Sequence, residues 1–270
     1  MEIRTLTETS WDTIYFSFME AFENYVIPMN FNKDSTLKRW EISSIDLALS
    51  YGAFDQEKLV AFVLHIPSEE ELYNLLIGVI PSHRGQHLIE KIYEKFEKEL
   101  SHKKSSLEVI RENVKAVKLY EKLGFKIKRE LLSFKGVLQI PETESPGDYV
   151  IGPLNYSREM SRLELSPPAF ENSQACLSQH PEFHETHCLI KDGHMLAYII
   201  FTPQLNSIRE IGALTPVEKY LDSLLTKMKL NGEDLRIMNI GAESEELHEY
   251  LQKRGLELFV TQMEMTKCRV

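Results

Sequence analysis

Asn113 and Tyr120 stand seven residues apart in "RENVKAVKLYEKLGF". On a helix that spacing is close to two turns, so a carboxamide and a phenol share one face. The carboxamide suits a helix N-cap. A phenol of ordinary pKa, about 10, is almost wholly protonated at neutral pH and is available to donate that proton to a strong base formed beside it. A second cluster lies upstream, where "GVIPSHRGQHLIEK", residues 78–91, reads as a strand that turns a corner straight into a helix. The first N–H groups of a helix lack partners and its dipole is positive there, so such a corner favours an anion. Arg84, the flexible backbone at Gly85 and the N–H groups of Gln86, His87 and Leu88 are together the candidate anion site. An ordinary polar turn is the plainer reading of "PSHRG" taken alone.

These groups need elements to hold them. "MEIRTL" reads as a strand, "WDTIYFSFMEAF" and "STLKRWEISSIDLAL" as amphipathic helices, and "KLVAFVLHI" and "ELYNLLIGVI" as apolar strands. A helix from about residue 84 to 100, a strand "SLEVI", a helix from about 113 to 123 and a strand after Gly124 follow. Alternating strands and helices predict an α/β layer, with a parallel crossover between residues 75 and 110. "QIPETESPGDYVIGP", rich in Pro, Gly and acids, reads as a boundary.

Beyond it the order repeats. "HMLAYIIF" answers "KLVAFVLHI", "SIREIGAL" answers "LLIGVI", and "LRIMNIGAESEELHEYLQKRGLELFV" answers "LEVIRENVKAVKLYEKLGFKIKREL" when Gly255 is laid on Gly124. The second copy is about five residues shorter at the corner, and it has Ser244 and Leu251 where the first has Asn113 and Tyr120. Its corner is therefore not expected to hold the anion. The expected domains are residues 1–140 and 148–270.

The two motifs resemble the core motifs of the GNAT superfamily of N-acetyltransferases. Asn113, Ala116, Tyr120, Gly124 and Phe125 match an N-x-x-A-x-x-x-Y-x-x-x-G-F segment in full. Arg84 and Gly85 fit R-G-x-G-x-G/A, while His87 and Ile89 stand at its small-residue positions. The resemblance implies an α/β fold of two tandem GNAT-like domains, each a mixed twisted sheet flanked by helices, the second degenerate and lacking the pyrophosphate loop. It also implies acetyl-CoA as co-substrate. Val79 and Ile80 at the strand end would hold it with Arg84, Gly85, Gln86, His87 and Leu88 around the corner. Asn113 and Tyr120 would touch it from the next helix. In acyl transfer from a thioester the departing thiolate needs a proton, which makes Tyr120 the expected general acid. A CoA-binding or scaffold protein without catalysis is the alternative.

The acceptor is expected to be a primary amine on a small molecule or peptide. Neutralising a lysine-like amine at pH 7 costs roughly 4.6 kcal/mol, against about 1 for an α-amine. Glu23, Asn24 and Tyr25, in the acidic aromatic stretch "AFENYVIPMN", and Glu71 are candidate acceptor-side residues; Glu71 and Glu108 each read more simply as solvated strand residues. "HPEFHETHC" gathers His180, His184, His187 and Cys188, but the spacing fits no finger and a polar loop is expected, with no metal.

Composition sets the outer limits. Across 270 residues the net charge of −10 disfavours a nucleic-acid surface. The apolar runs are far shorter than the roughly 18 residues of a membrane span. "MEIRTLTETSWD" has no apolar leader, and the three cysteines form no CxxC pair. A cytoplasmic chain with reduced thiols and no membrane partner is expected, and a homodimer stays open.

Overall fold

The computed structural model describes residues 1–23, 32–69, 71–99, 104–141 and 143–268. They fall into two units, Met1–Lys128 with Met263–Val270, and Arg129–Gln262.

Unit 1 runs β1 (Glu2–Thr5), α1 (Trp11–Ala21), α2 (Lys33–Ile42), β2 (Asp46–Asp55), β3 (Lys58–Pro67), β4 (Glu71–Val79), α3 (Leu88–Glu99), β5 (Lys104–Ile110) and α4 (Val114–Lys122). The sheet order is β1-β2-β3-β4-β5. Neighbours are antiparallel up to β4, and β4 and β5 are parallel. The unbroken apolar run of β3 has its reason here, since Leu59 to Leu64 and Ile66 are all fully buried. Leu88, Ile89, Ile92, Tyr93 and Phe96 form one stripe of α3 and pack into the same core. Ser10 and Asn32 cap α1 and α2 by accepting from the Thr13 and Ser35 N–H groups.

One element differs from the sequence reading. The helix expected across "STLKRWEISSIDLAL" stops at Ile42, Ser44 turns into the left-handed region, and β2 begins at Asp46. Paired on both sides, β2 buries Tyr51 to Phe54, which outweighs local helix preference.

Unit 2 is built from β6 (Lys126–Val137, its part from Arg129 on), β7 (Asp148–Pro153), α5 (Met160–Leu163), α6 (Gln174–Leu177), β8 (Glu185–Lys191), β9 (His194–Thr202), β10 (Ser207–Ala213), α7 (Val217–Lys227), β11 (Asp234–Gly241), α8 (Glu245–Lys253) and the start of β12 (Glu257–Cys268). Its sheet runs β6-β11-β10-β9-β8-β7. The repeat is visible in detail. Gly124 and Gly255 close α4 and α8 with φ of 91° and 86°. In each case the next residue's N–H reaches five residues back, from Phe125 to Tyr120 and from Leu256 to Leu251. That closure requires a residue with positive φ, hence glycine.

These units differ from the expected division at 140–148. Leu131 to Val137 of β6 pair with β11, so this strand is used by unit 2, and residues 263–268 of β12 go to unit 1. The expected boundary stretch starts inside the unit 2 core. Leu138 and Ile140 are buried there, and the Leu138, Gln139 and Ile140 N–H groups donate to Glu233, Arg254 and Asn231.

The polar loop expected at "HPEFHETHC" is instead a tight turn, Pro181–Phe183, entering β8. His184 is buried against the Thr202 hydroxyl at 2.8 Å, and burial pushes its imidazole down to about 4. His187 is buried between the Tyr149 hydroxyl and Glu185. Cys176 and Cys188 are buried free thiols and Cys268 is an exposed one.

Candidate active site

The centre of unit 1's sheet opens. β4 and β5 pair from Glu71↔Lys104 to Asn74↔Leu107, and no rung follows although both strands continue, to Val79 and Ile110. Parted parallel strands leave edge N–H and C=O groups facing a gap. Leu75, Leu76 and Ile77 are accordingly only half-buried in the middle of a central strand.

A buried polar cluster stands at the last rung. Asn74 Nδ2 donates to the Ser106 carbonyl at 2.6 Å, and its Oδ1 accepts from the Tyr93 hydroxyl at 2.9 Å and faces His65 Nε2 at 3.0 Å. Asn74 thereby ties β4 to β5 where pairing ends. Sequence reasoning missed it, because nothing in "ELYNLLIGV" separates one buried Asn from a surface one.

The corner lies at the open end of β4. A turn at Pro81–His83 leads to Gly85 with φ of 78° and His87 with φ of 56° before α3 starts at Leu88. Among the described residues, the N–H groups of Gly85, Gln86, His87 and Leu88 have no protein acceptor. A Cβ built on Gly85 meets nothing within 4 Å, so the space above the corner is open. Four unpaired amides at a helix start, in open space, form an anion cradle.

The two departures from the small-residue pattern leave that cradle clear. His87 takes the left-handed backbone that glycine would take, a strained state for a histidine. Its ring turns out to Glu90, with Nδ1 2.8 Å from Oε1, and two-thirds of the side chain is exposed. Lys122 reaches the same Glu90 oxygen at 3.3 Å. Burial pushes the Glu90 carboxyl up, but hydrogen bonds from His87, its own amide and Lys122 outweigh this and hold it below the usual range. Ile89 points inward and is buried in the core.

The other candidate residues sit as follows. The Arg84 guanidinium donates to the Val79 carbonyl at 3.3 Å and the Ala21 carbonyl at 3.0 Å, so it holds the end of α1 against the end of β4. Val79 is half-buried and Ile80 fully buried, its N–H donating to the Val60 carbonyl. Asn113 caps α4, its Oδ1 accepting from the Ala116 N–H at 3.3 Å. Tyr120 is 8% exposed, on the packed side of α4, with its ring 6.2 Å from that of Phe125. Glu71 is paired with Lys104 at 2.8 Å, on the closed side of the last rung. Glu23 is exposed, while Asn24 and Tyr25 lie outside the described residues.

In unit 2 the corner is short. β10 ends at Ala213 and α7 begins at Val217, with Pro216, which has no N–H, just before it. Ser244 caps α8 in position but sends its hydroxyl to the Leu165 carbonyl, and Leu251 is buried. No group of three or more His, Cys, Asp or Glu that would hold a metal occurs among the described residues, and no described helix is long and apolar enough to cross a membrane.

Residues 11–125 match the acetyltransferase (GNAT) family. No curated protein matches the chain by sequence. Among solved structures, the GCN5-related N-acetyltransferase from Sphaerobacter thermophilus superposes with a TM-score of 0.69 at 14% identity, over 99% of this chain and 95% of that one. The tandem GNAT protein from the clavulanic acid biosynthesis pathway gives 0.62 at 10% identity, over 99% and 98%. A GCN5-related N-acetyltransferase from Anabaena variabilis gives 0.55 at 13%, over 98% and 72%. At these identities the likeness is one of fold, and its reach across the chain fits a tandem pair of GNAT-like units.

Proposed function

We propose that the chain, whose residues 11–125 match the GNAT acetyltransferase family, moves an acetyl group from acetyl-CoA to a primary amine. The observation that carries the reading is the open corner with its four unpaired amides beside parted strands. A diphosphate takes those amides, and an extended, amide-bearing arm of the donor lies in the gap, where strand edges offer hydrogen bonds. The thioester supplies the activated acetyl group.

The neutral amine attacks the thioester carbonyl carbon, the carbon–sulfur bond breaks, the thiolate leaves with a proton from the Tyr120 hydroxyl, and the proton that the acylated nitrogen sheds passes through solvent to restore the phenol. Asn113 fixes the start of α4 and so the position of Tyr120 two turns later. Arg84 acts through the fold, holding β4's end and the corner in place, rather than as the main anion ligand. Glu71 is committed to Lys104 and is not assigned as base. The acceptor is a small-molecule or peptide amine, and the protein works in the cytoplasm.

Steady-state kinetics and calorimetry of Tyr120→Phe test the assignment. The reading predicts kcat down by about 10²-fold or more with acetyl-CoA affinity unchanged, the usual worth of a general acid. Unchanged kcat removes Tyr120 from the reaction.

A further inference from the structure

The parallel strands of unit 2 also part, and more abruptly. β10 and β11 share only two rungs, Ser207↔Arg236 and Ile208↔Ile237, before running on to Ala213 and Gly241. Here the gap is filled by the chain itself. Glu164 forms an antiparallel bridge with Gly212 of β10. On the opposite strand the Gly241 N–H donates to Ser166 Oγ at 2.9 Å, and Asn172 Nδ2 donates to the Met238 carbonyl at 2.8 Å.

The segment's own carbonyls are met as well. Leu165 accepts from the Ser244 hydroxyl at 2.9 Å, Pro167 and Pro168 from the Arg129 guanidinium at 2.9 and 3.2 Å, and Glu171 from Arg209 at 2.7 Å. Its two prolines have no N–H to satisfy. Ala169, Phe170 and Asn172 are buried. The space left beneath it is about 20 Å³, the room of one water. Gly212 shows how closely the segment is seated, because a Cβ there would stand 2.6 Å from the Leu163 carbonyl oxygen.

We propose that residues 163–172 are a permanent internal occupant of unit 2's strand gap. They provide the hydrogen bonds that a bound extended ligand would otherwise make to the parted edges. Unit 2 is therefore a closed structural unit, and the chain takes up acetyl-CoA at one site. Only this last count rests on the reading of unit 1.

Hydrogen exchange of the full chain, read by mass spectrometry with and without saturating acetyl-CoA, tests it. The proposal expects the amides of Asn172 and Gly241, whose N–H groups donate to the Ala169 carbonyl and to Ser166 Oγ, to exchange as slowly as those of β9, with no change on adding acetyl-CoA. A double variant, Ser166→Ala with Asn172→Ala, is expected to speed exchange at Gly241 by about tenfold or more while β9 stays slow. Exchange of the segment within seconds in the ligand-free protein overturns the proposal, as does a change there on adding acetyl-CoA or a calorimetric stoichiometry of two. If acetyl-CoA does not bind at all, the reading of unit 1 fails, and the ligand-free exchange still decides whether the segment is a fixed plug.

Discussion

Glu210→Gln should make the protein more stable, and increasingly so as the pH rises. Glu210 is buried on β10, accepts from the Tyr198 hydroxyl at 2.6 Å and has no cation bonded to it among the described residues. Burial and the charge of Glu164 push its carboxyl up to about 7 from 4.5, against the opposing pull of the Tyr198 hydrogen bond. A folded state that holds its proton more tightly than the unfolded chain loses stability as the pH climbs between those two values. At 1.36 kcal/mol per pH unit, the loss approaches about 3 kcal/mol by pH 8 and is under about 1 kcal/mol at pH 5. Glutamine keeps the oxygen that accepts from Tyr198 and has no proton to lose. Urea unfolding followed by far-UV circular dichroism at pH 5, 6, 7 and 8 gives the comparison. The variant's advantage should grow from under about 1 to about 3 kcal/mol across the series. A difference that stays flat with pH refutes the reasoning, because it would mean that Glu210 ionises in the folded protein as freely as in the unfolded one.

Three further outcomes follow from the packing. His87→Gly replaces a histidine at φ of 56° and loses only an exposed ion pair, so thermal melting should show no loss and up to about 1 kcal/mol gained, with acetyl-CoA affinity kept. Asn74→Ala removes the partner shared by Tyr93, Ser106 and His65, and chemical denaturation should record a loss of about 3 kcal/mol. Gly78→Ala places a methyl 2.5 Å from the Phe62 ring and should cost about 1–3 kcal/mol, read as a lower melting temperature.

The strand–corner–helix unit and the Asn113 cap were legible in the sequence because each is local. A strand end, a turn and a helix start occupy fourteen consecutive residues, and a cap needs only four. The repeat was legible through its order and through Gly124 and Gly255, which close their helices alike. What stayed hidden depends on distant pairing. β2 becomes a strand because β1 and β3 flank it, Asn74 matters because β5 stands opposite, and β6 serves unit 2 because it pairs with β11. "HPEFHETHC" looked polar because its residue types are polar. Two of its histidines are nonetheless buried, held by Thr202 and Tyr149 from other strands. His87 shows the limit from the other side: its type departs from the small-residue pattern, yet the backbone takes the glycine conformation and the ring turns away to Glu90.

The central claim is that the corner at residues 84–88 holds the diphosphate of acetyl-CoA. Calorimetric titration of the purified chain with acetyl-CoA, without any acceptor, tests it most directly. The account predicts one site per chain with micromolar affinity, weakened by Arg84→Ala through loss of the tie to Ala21 and Val79. No binding would contradict it, and would leave a protein that keeps the GNAT-like fold without this donor.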